Sequence, residues 1–228
     1  MLPFDARAHF GRKKGHGTRA GQVSRLNRML PAFALDLTAP SPRSLTALFR
    51  EPVEAVRLEI GFGSGEHLLH QVRSNPRIGF IGCEAFEGGV AKLLGAAEED
   101  PPGNLRLHFG DALEVLDWLP AGELSRIDLL YPDPWPKRRH WKRRFVNAER
   151  TQHLAVLLRP GGHFRFASDI SSNITWTLMQ VGHNAAFRWI AQSAGDWQTP
   201  WADWHRTRYE KKAIREGRRP AYLTFERL

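Results

Sequence analysis

Leu58-Glu59-Ile60-Gly61-Phe62-Gly63-Ser64-Gly65 is the end of an apolar run that passes straight into three alternating glycines, and a helical pattern follows it. Glycines at such a junction let the backbone turn sharply and approach a ligand where a Cβ would collide. A tight strand-to-helix connection would use glycine too, so the surroundings decide the reading. Apolar runs over residues 56–60, 78–83, 105–109, 127–131, 163–167 and 222–225 read as strands, separated by stretches long enough for crossover helices. Pro76, Pro101-Pro102, Pro120 and Pro160-Gly161-Gly162 punctuate between elements. The rhythm predicts an α/β fold: a mostly parallel sheet, helices on both faces, and ligands at the carboxyl ends of the strands near the point where strand order reverses.

The 228 residues suit one domain with an appended arm. Residues 1–35 read as a basic N-terminal arm, of which 1–30 are rich in Gly, Lys and Arg, poor in periodicity, and mobile until a partner orders them. Residues 36–228 form the domain, with an irregular polar, aromatic and basic excursion over 195–220 before the last strand. A hydrophobic content of 42%, with 8 Trp and 13 Phe, is enough for a packed core and excludes general disorder. No apolar run approaches the roughly 20 residues of a membrane helix, and the N-terminus lacks the apolar stretch of a secretory signal, so a cytoplasmic protein is expected. The single cysteine, Cys83, excludes an intrachain disulfide and a multi-thiolate metal site. No close His/Asp/Glu cluster suggests another metal.

The formal charge of +9 is unevenly placed. Residues 1–30 carry seven Lys and Arg against Asp5, residues 137–144 six against none, and residues 206–219 seven against Glu210 and Glu216. Those segments hold 20 of the 33 basic residues and three of the 24 acidic ones, which leaves a body with 13 basic and 21 acidic side chains. Any one run could be a solvated face; three on an acidic body point to a polyanion such as a nucleic acid.

Three acids fall at successive strand ends: Glu59 ahead of the glycines, Glu84 after the second strand, and Asp111 after the third. Carboxylates around a glycine turn would oppose the pyrophosphate of a dinucleotide and suit a cationic, phosphate-free nucleoside. The arrangement resembles the class I methyltransferases that use S-adenosylmethionine, with a Rossmann-like, mostly parallel seven-stranded sheet. The resemblance implies that Gly61, Gly63 and Gly65 form the cofactor turn. It also implies that Glu84 binds both ribose hydroxyls, Asp111 meets the adenine amine, and Glu59 lies near the methionine end.

Residues 127–144 contain Tyr131-Pro132-Asp133-Pro134-Trp135-Pro136, followed by Lys137-Arg138-Arg139-His140-Trp141-Lys142-Arg143-Arg144. The prolines fix φ and hold the Asp133 carboxylate at the strand's carboxyl edge, beside an aromatic ring and a run of cations. Such a grouping suits chemistry on a base within a nucleic acid. Trp135 reads equally as a base-stacking ring or a core anchor, and His140 as part of the nucleic-acid-facing surface. The segment closely resembles the signature of the bacterial tRNA (guanine-N7-)-methyltransferases. Phe166-Ala167-Ser168-Asp169, Thr207-Arg208-Tyr209-Glu210 and Phe225-Glu226-Arg227 extend the likeness from about residue 55 to the terminus. Arg208 and Tyr209 stand where that family usually has Lys and Phe.

The resemblance implies methyl transfer from S-adenosylmethionine to N7 of guanosine, at position 46 of the tRNA variable loop. It makes Asp133 the catalytic carboxylate at the cofactor's edge, and Lys137, Asp169, Thr207, Arg208, Tyr209 and Glu210 substrate-binding. Two alternatives stay open: an amino-group RNA or DNA methyltransferase, since related loops at this strand end serve exocyclic amines, and a non-catalytic RNA-binding module on the same fold. Whether the protein is a monomer or a homodimer is left open.

Overall fold

A computed structural model describes residues 20–228. Seven strands make one sheet: β1 (Ala55–Ile60), β2 (Ile78–Glu84), β3 (Leu105–Phe109), β4 (Leu124–Leu130), β5 (Leu158–Ser168), β6 (Phe187–Trp189) and β7 (Ala221–Arg227), in the order β3-β2-β1-β4-β5-β7-β6. The first five run parallel, while β7 pairs antiparallel with both β5 and β6. The helices are α1 (Ala20–Phe33), α2 (Glu66–Ser74), α3 (Glu87–Ala96), α4 (Ala112–Trp118), α5 (Ala148–Leu157), α6 (Ser171–Gly182), α7 (Gly195–Gln198) and α8 (Arg208–Arg215).

Alternation along the strands builds two different faces. On one, Val56, Leu58 and Ile60 of β1, Ile127 and Leu129 of β4, Phe164 and Phe166 of β5, and Leu223 and Phe225 of β7 are buried with residues of α4, α5 and α6. On the other, Phe80, Leu105 and Leu107 pack against α1, α2 and α3, and a separate cluster of Leu130, Ala167 and Tyr222 packs under Tyr131, Trp201 and Trp204. Between these two apolar patches the second face is polar, carrying Arg57, Glu59, Arg126, Asp128 and Arg165 on adjacent strands. Strand order reverses between β1 and β4, which opens a crevice at the carboxyl ends of the parallel strands.

The six strands read from sequence are all present, with ends shifted by a few residues. One shift matters: β4 ends at Leu130, and Tyr131 takes a φ of 50°, so the chain leaves the sheet there. The strand β6 was not read, because three residues with only Phe187 buried carry no period. Residues 20–35 correct the reading of the arm. Leu26, Met29 and Phe33 recur at helical spacing and are buried within the α2–α3 cluster, Arg25 and Arg28 pair with Glu98, and Leu35 N donates to Leu107 O at 2.9 Å. That stretch is docked structure; residues 1–19 lie outside the described residues. Within the predicted irregular excursion over 195–220, α7 and α8 are helical.

Candidate active site

Gly61, Gly63 and Gly65 all have positive φ, at 74°, 60° and 79°. Gly65 starts α2 in the left-handed region, where a Cβ would also strike the Leu93 side chain at 2.5 Å, so glycine is required there on two counts. The turn's own N–H groups are spent inside the protein: Gly61 N donates to Cys83 O at 2.8 Å, Gly65 N to Phe62 O at 2.9 Å, and Gly63 N to Glu84 Oε2 at 2.7 Å. One of these donors is held by a carboxylate, whose charge opposes a pyrophosphate at this turn.

The turn walls a cavity of about 270 Å³ together with Glu84, Gly110, Asp111, Tyr131, Asp133, Trp135, Lys142, Arg143, Arg150, Arg208 and Tyr209. Glu84 is fixed at both ends, since Oε1 accepts from Phe86 N at 2.8 Å while Oε2 holds Gly63. Each carboxylate oxygen has a second acceptor direction, so the group can be rigid and still receive a diol. Asp111 caps α4, with Oδ1 accepting from Leu113 N at 3.1 Å. Asp133 reaches the same cavity from the loop after β4, exposed at its mouth. Three carboxylates from three strand ends thus face one space large enough for a nucleoside, and they suit a ligand with hydroxyls, an exocyclic amine and a positive charge.

The loop carrying Asp133 is held under strain. Trp135 has a φ of 42°, rare for a non-glycine residue. Its ring lines the cavity, with the Arg143 guanidinium 5.0 Å from its centroid and the His140 ring edge-on at 5.8 Å. Arg144, one of the six cations of the basic run, is not a surface charge. It is buried, donates from Nε to Pro134 O at 2.9 Å and from Nη1 to Ser172 O at 2.9 Å, and lies against Trp141 and Trp176. Arg144 therefore fastens the Asp133 loop to α6, and Arg138, Arg139, Lys142 and Arg143 occupy a 3₁₀ turn, Arg138–Arg143, with no buried member. Desolvation and the nearby Arg143 and Arg139 hold the His140 imidazole below its ordinary value, so the ring is neutral near pH 7.

Not every residue singled out from sequence lies on the cavity wall. Glu59 is buried behind the glycine turn, its Oε2 2.8 Å from His67 Nδ1. Lys137 precedes the basic turn, exposed and off the cavity wall. Asp169 is paired with Arg218, which also meets Glu216. The Thr207–Glu210 group divides in two. Arg208 and Tyr209 lie over Gly63, at 3.8 and 3.7 Å from where its Cβ would be, and Tyr209 is exposed. Thr207 and Glu210 turn inward: the Thr207 hydroxyl accepts from Glu210 N at 3.2 Å, and the buried Glu210 carboxylate accepts from Trp204 Nε1 at 2.6 Å and from the Tyr222 hydroxyl. The hydrogen bonding expected of Glu210 toward a nucleotide is thus directed into the fold. Sequence reading missed Arg150, which lies a turn into α5 with its backbone N capped by Asn147 Oδ1 at 2.9 Å, and which lines the cavity. Its signal was the Asn-x-x-Arg spacing ahead of an apolar period.

Among solved structures, the 16S rRNA methyltransferase KamB matches with a TM-score of 0.53 at 16% identity, over 83% of this chain and 96% of the other. An antibiotic-related methyltransferase matches with a TM-score of 0.53 at 12% identity, over 77% and 89%. These likenesses bear on the fold alone. Fold and cavity together define a doubly wound α/β protein with a nucleoside-sized cavity where strand order reverses. A family model described as "Putative methyltransferase" matches residues 53–223; the tRNA (guanine-N(7)-)-methyltransferases of Rhizobium meliloti (strain 1021) and Chelativorans sp. (strain BNC1) are 56% and 53% identical, over 96% and 97% of this chain and 95% of each relative. The chain belongs to the tRNA (guanine-N7-)-methyltransferase family.

Proposed function

We propose that this protein transfers a methyl group from S-adenosylmethionine to N7 of a guanosine in tRNA. The observation that carries the reading is the placement of the Asp133 carboxylate in one cavity with Glu84 and Asp111 and with Arg143, Arg208 and Tyr209. The acids suit a cationic nucleoside and the cations and ring suit a nucleotide of a polyanion; Asp133 shares the cavity with both. S-adenosylmethionine supplies, when bound, an electrophilic methyl on a sulfonium.

Glu84 offers acceptors to a ribose diol, Asp111 offers one to an adenine amine, and the glycine turn leaves the space that side chains would fill. The guanine N7 lone pair lies in the ring plane and carries no proton, so no side chain has to act as general base. The protein's work is alignment and stabilisation of the positive charge that grows on the purine. Asp133 can do both by accepting from guanine N1–H and the 2-amino group, which turns N7 toward the methyl donor and offsets the charge growing on the ring. Adenine lacks that pair of donors and would leave the carboxylate poorly matched, which favours guanine. Tyr209 provides a stacking surface, and Lys142, Arg143 and Arg208 attract the backbone phosphates.

The test is methyl transfer from labelled cofactor to bulk tRNA, followed by nucleoside digestion. N7-methylguanosine is expected, and a transcript lacking the variable-loop guanosine at position 46 should accept no label. Labelled N6-methyladenosine, or no transfer at all, would overturn the reading.

A further inference from the structure

The excursion between α7 and α8 carries Arg208 and Tyr209 to the cavity, yet its backbone–backbone hydrogen bonds stay local, with Thr199 N bonded to Gly195 O and Trp204 N to Trp201 O. Side chains hold it down. Asp203 is the centre of that attachment. Its Oδ2 is 2.8 Å from Arg126 Nη1 on β4, its Oδ1 is 2.8 Å from Arg165 Nη1 on β5, and its carbonyl accepts from Gln71 Nε2 on α2. Arg126 is itself locked by Asp128 Oδ2 and Gln71 Oε1, both at 2.8 Å, and is buried. Trp204 follows directly, its ring 4.8 Å from His67 and its Nε1 on Glu210, and Trp201 bonds Thr224 Oγ1 at 2.8 Å under the Arg165 guanidinium.

Charge explains why an acid is needed there. Arg57 lies beside Arg126 on β1 and β4, and Arg165 of β5 lies beside Asp128, all on the polar face of the sheet. Burial and the neighbouring Arg126 pull the Arg57 guanidinium down to about 10, a sign of how crowded with cations this face is. Burial alone would raise the Asp203 carboxyl, but Arg165 and Arg126 outweigh it and hold it well below the usual range. Asp203 adds a second counter-charge to that of Asp128 on β4, and it does so from the excursion, four residues before Thr207 caps α8.

We propose that Asp203 is a positioning residue for methyl transfer: its double ion pair with Arg126 and Arg165 pins the excursion to the sheet and so sets where Arg208 and Tyr209 stand over the glycine turn. The proposal rests on the reading in which Tyr209 meets the target nucleotide. The carboxylate touches neither cofactor nor base; it acts through the chain that follows it. An interaction made only to stabilise the fold would lower thermal stability and leave the turnover of folded enzyme unchanged, whereas a tether couples to the residue it places.

The experiment is a double-mutant cycle between Asp203→Asn and Tyr209→Ala, read as kcat/KM for tRNA well below each variant's unfolding temperature, with active enzyme counted by cofactor binding. Each single variant is expected to lose about tenfold or more, and the double variant to be no slower than the worse single one. Multiplicative losses, or an Asp203→Asn enzyme as fast as wild type beside a slow Tyr209→Ala, would overturn the tether alone. A Tyr209→Ala enzyme at wild-type kcat/KM would overturn it through the reading beneath it. If Asp203→Asn does not fold, Arg165→Gln removes half of the same clamp from a partly exposed position and carries the same expectations.

Discussion

Asp133 and Glu84 are both carboxylates on one cavity wall, and their surroundings give them different work. Glu84 is gripped by two backbone N–H groups, so replacing it removes the acceptors for a ribose and also releases Gly63. Glu84→Ala is expected to weaken cofactor binding by about tenfold to a hundredfold, read by calorimetry; an unchanged affinity would contradict its ribose-binding role. Asp133 stands at the mouth on a strained loop. Asp133→Asn keeps the shape and removes the charge, so methyl transfer should fall by about 10²–10³-fold while cofactor affinity stays within about threefold, measured by single-turnover transfer beside calorimetry. The strand-end acids were legible because each follows an apolar run. Thr-Arg-Tyr-Glu is also a helix-capping spacing, so the sequence did not show that Thr207 caps α8 and that Glu210 is buried.

Elements register the same divergence between local pattern and packing. The strands of the parallel core were visible because each carries a buried apolar run, whereas β6 is a three-residue edge strand paired only with β7 and α1 follows a polar, glycine-rich stretch that masks its apolar spacing. The contact between β1 and α2 has a pH consequence that sequence alone did not suggest. His67 is buried against Glu59, with Asp128 and Arg126 of β4 also facing it and Trp204 over its ring. Burial would lower the imidazole, but Glu59 overrides it and raises it above its ordinary 6.5. A raised folded-state value means that the stabilisation is complete below about 6.5 and is lost as pH climbs through the raised value. The stability gap between wild type and His67→Gln in urea unfolding should therefore narrow from about pH 6 to about pH 9, and a gap that widens would reverse the assignment. At α8, Glu210→Ala would leave the Trp204 and Tyr222 donors without their buried acceptor. It is expected to cost about 2–4 kcal/mol of stability, read from the same titrations.

At the scale of the whole molecule, the described cations of the three basic concentrations include some that build the fold and some that are exposed. Arg25 and Arg28 pair with Glu98, Arg218 pairs with Asp169 and Glu216, and Arg144 is buried under the Asp133 loop. Arg138, Arg139 and Lys142 are exposed beside the cavity on a turn that buries none of its side chains, and Lys137 is exposed just before it. Charge counting in the sequence found the run but could not separate Arg144 from its neighbours, because the distinction lies in contacts with Pro134, Ser172, Trp141 and Trp176 rather than in composition. The separation is measurable. Each phosphate neutralised steepens the fall of log affinity with log salt by about 0.7–0.9, so changing Arg138, Arg139 and Lys142 together to Gln should flatten the slope for tRNA by about two units. Arg144→Gln should instead lower thermal stability and methyl transfer while the slope stays within about half a unit of wild type, because that cation meets backbone carbonyls and indole rings. If Arg144→Gln flattens the slope as much as the triple variant does, the buried arginine contacts phosphate in the complex and the loop must open to bind tRNA.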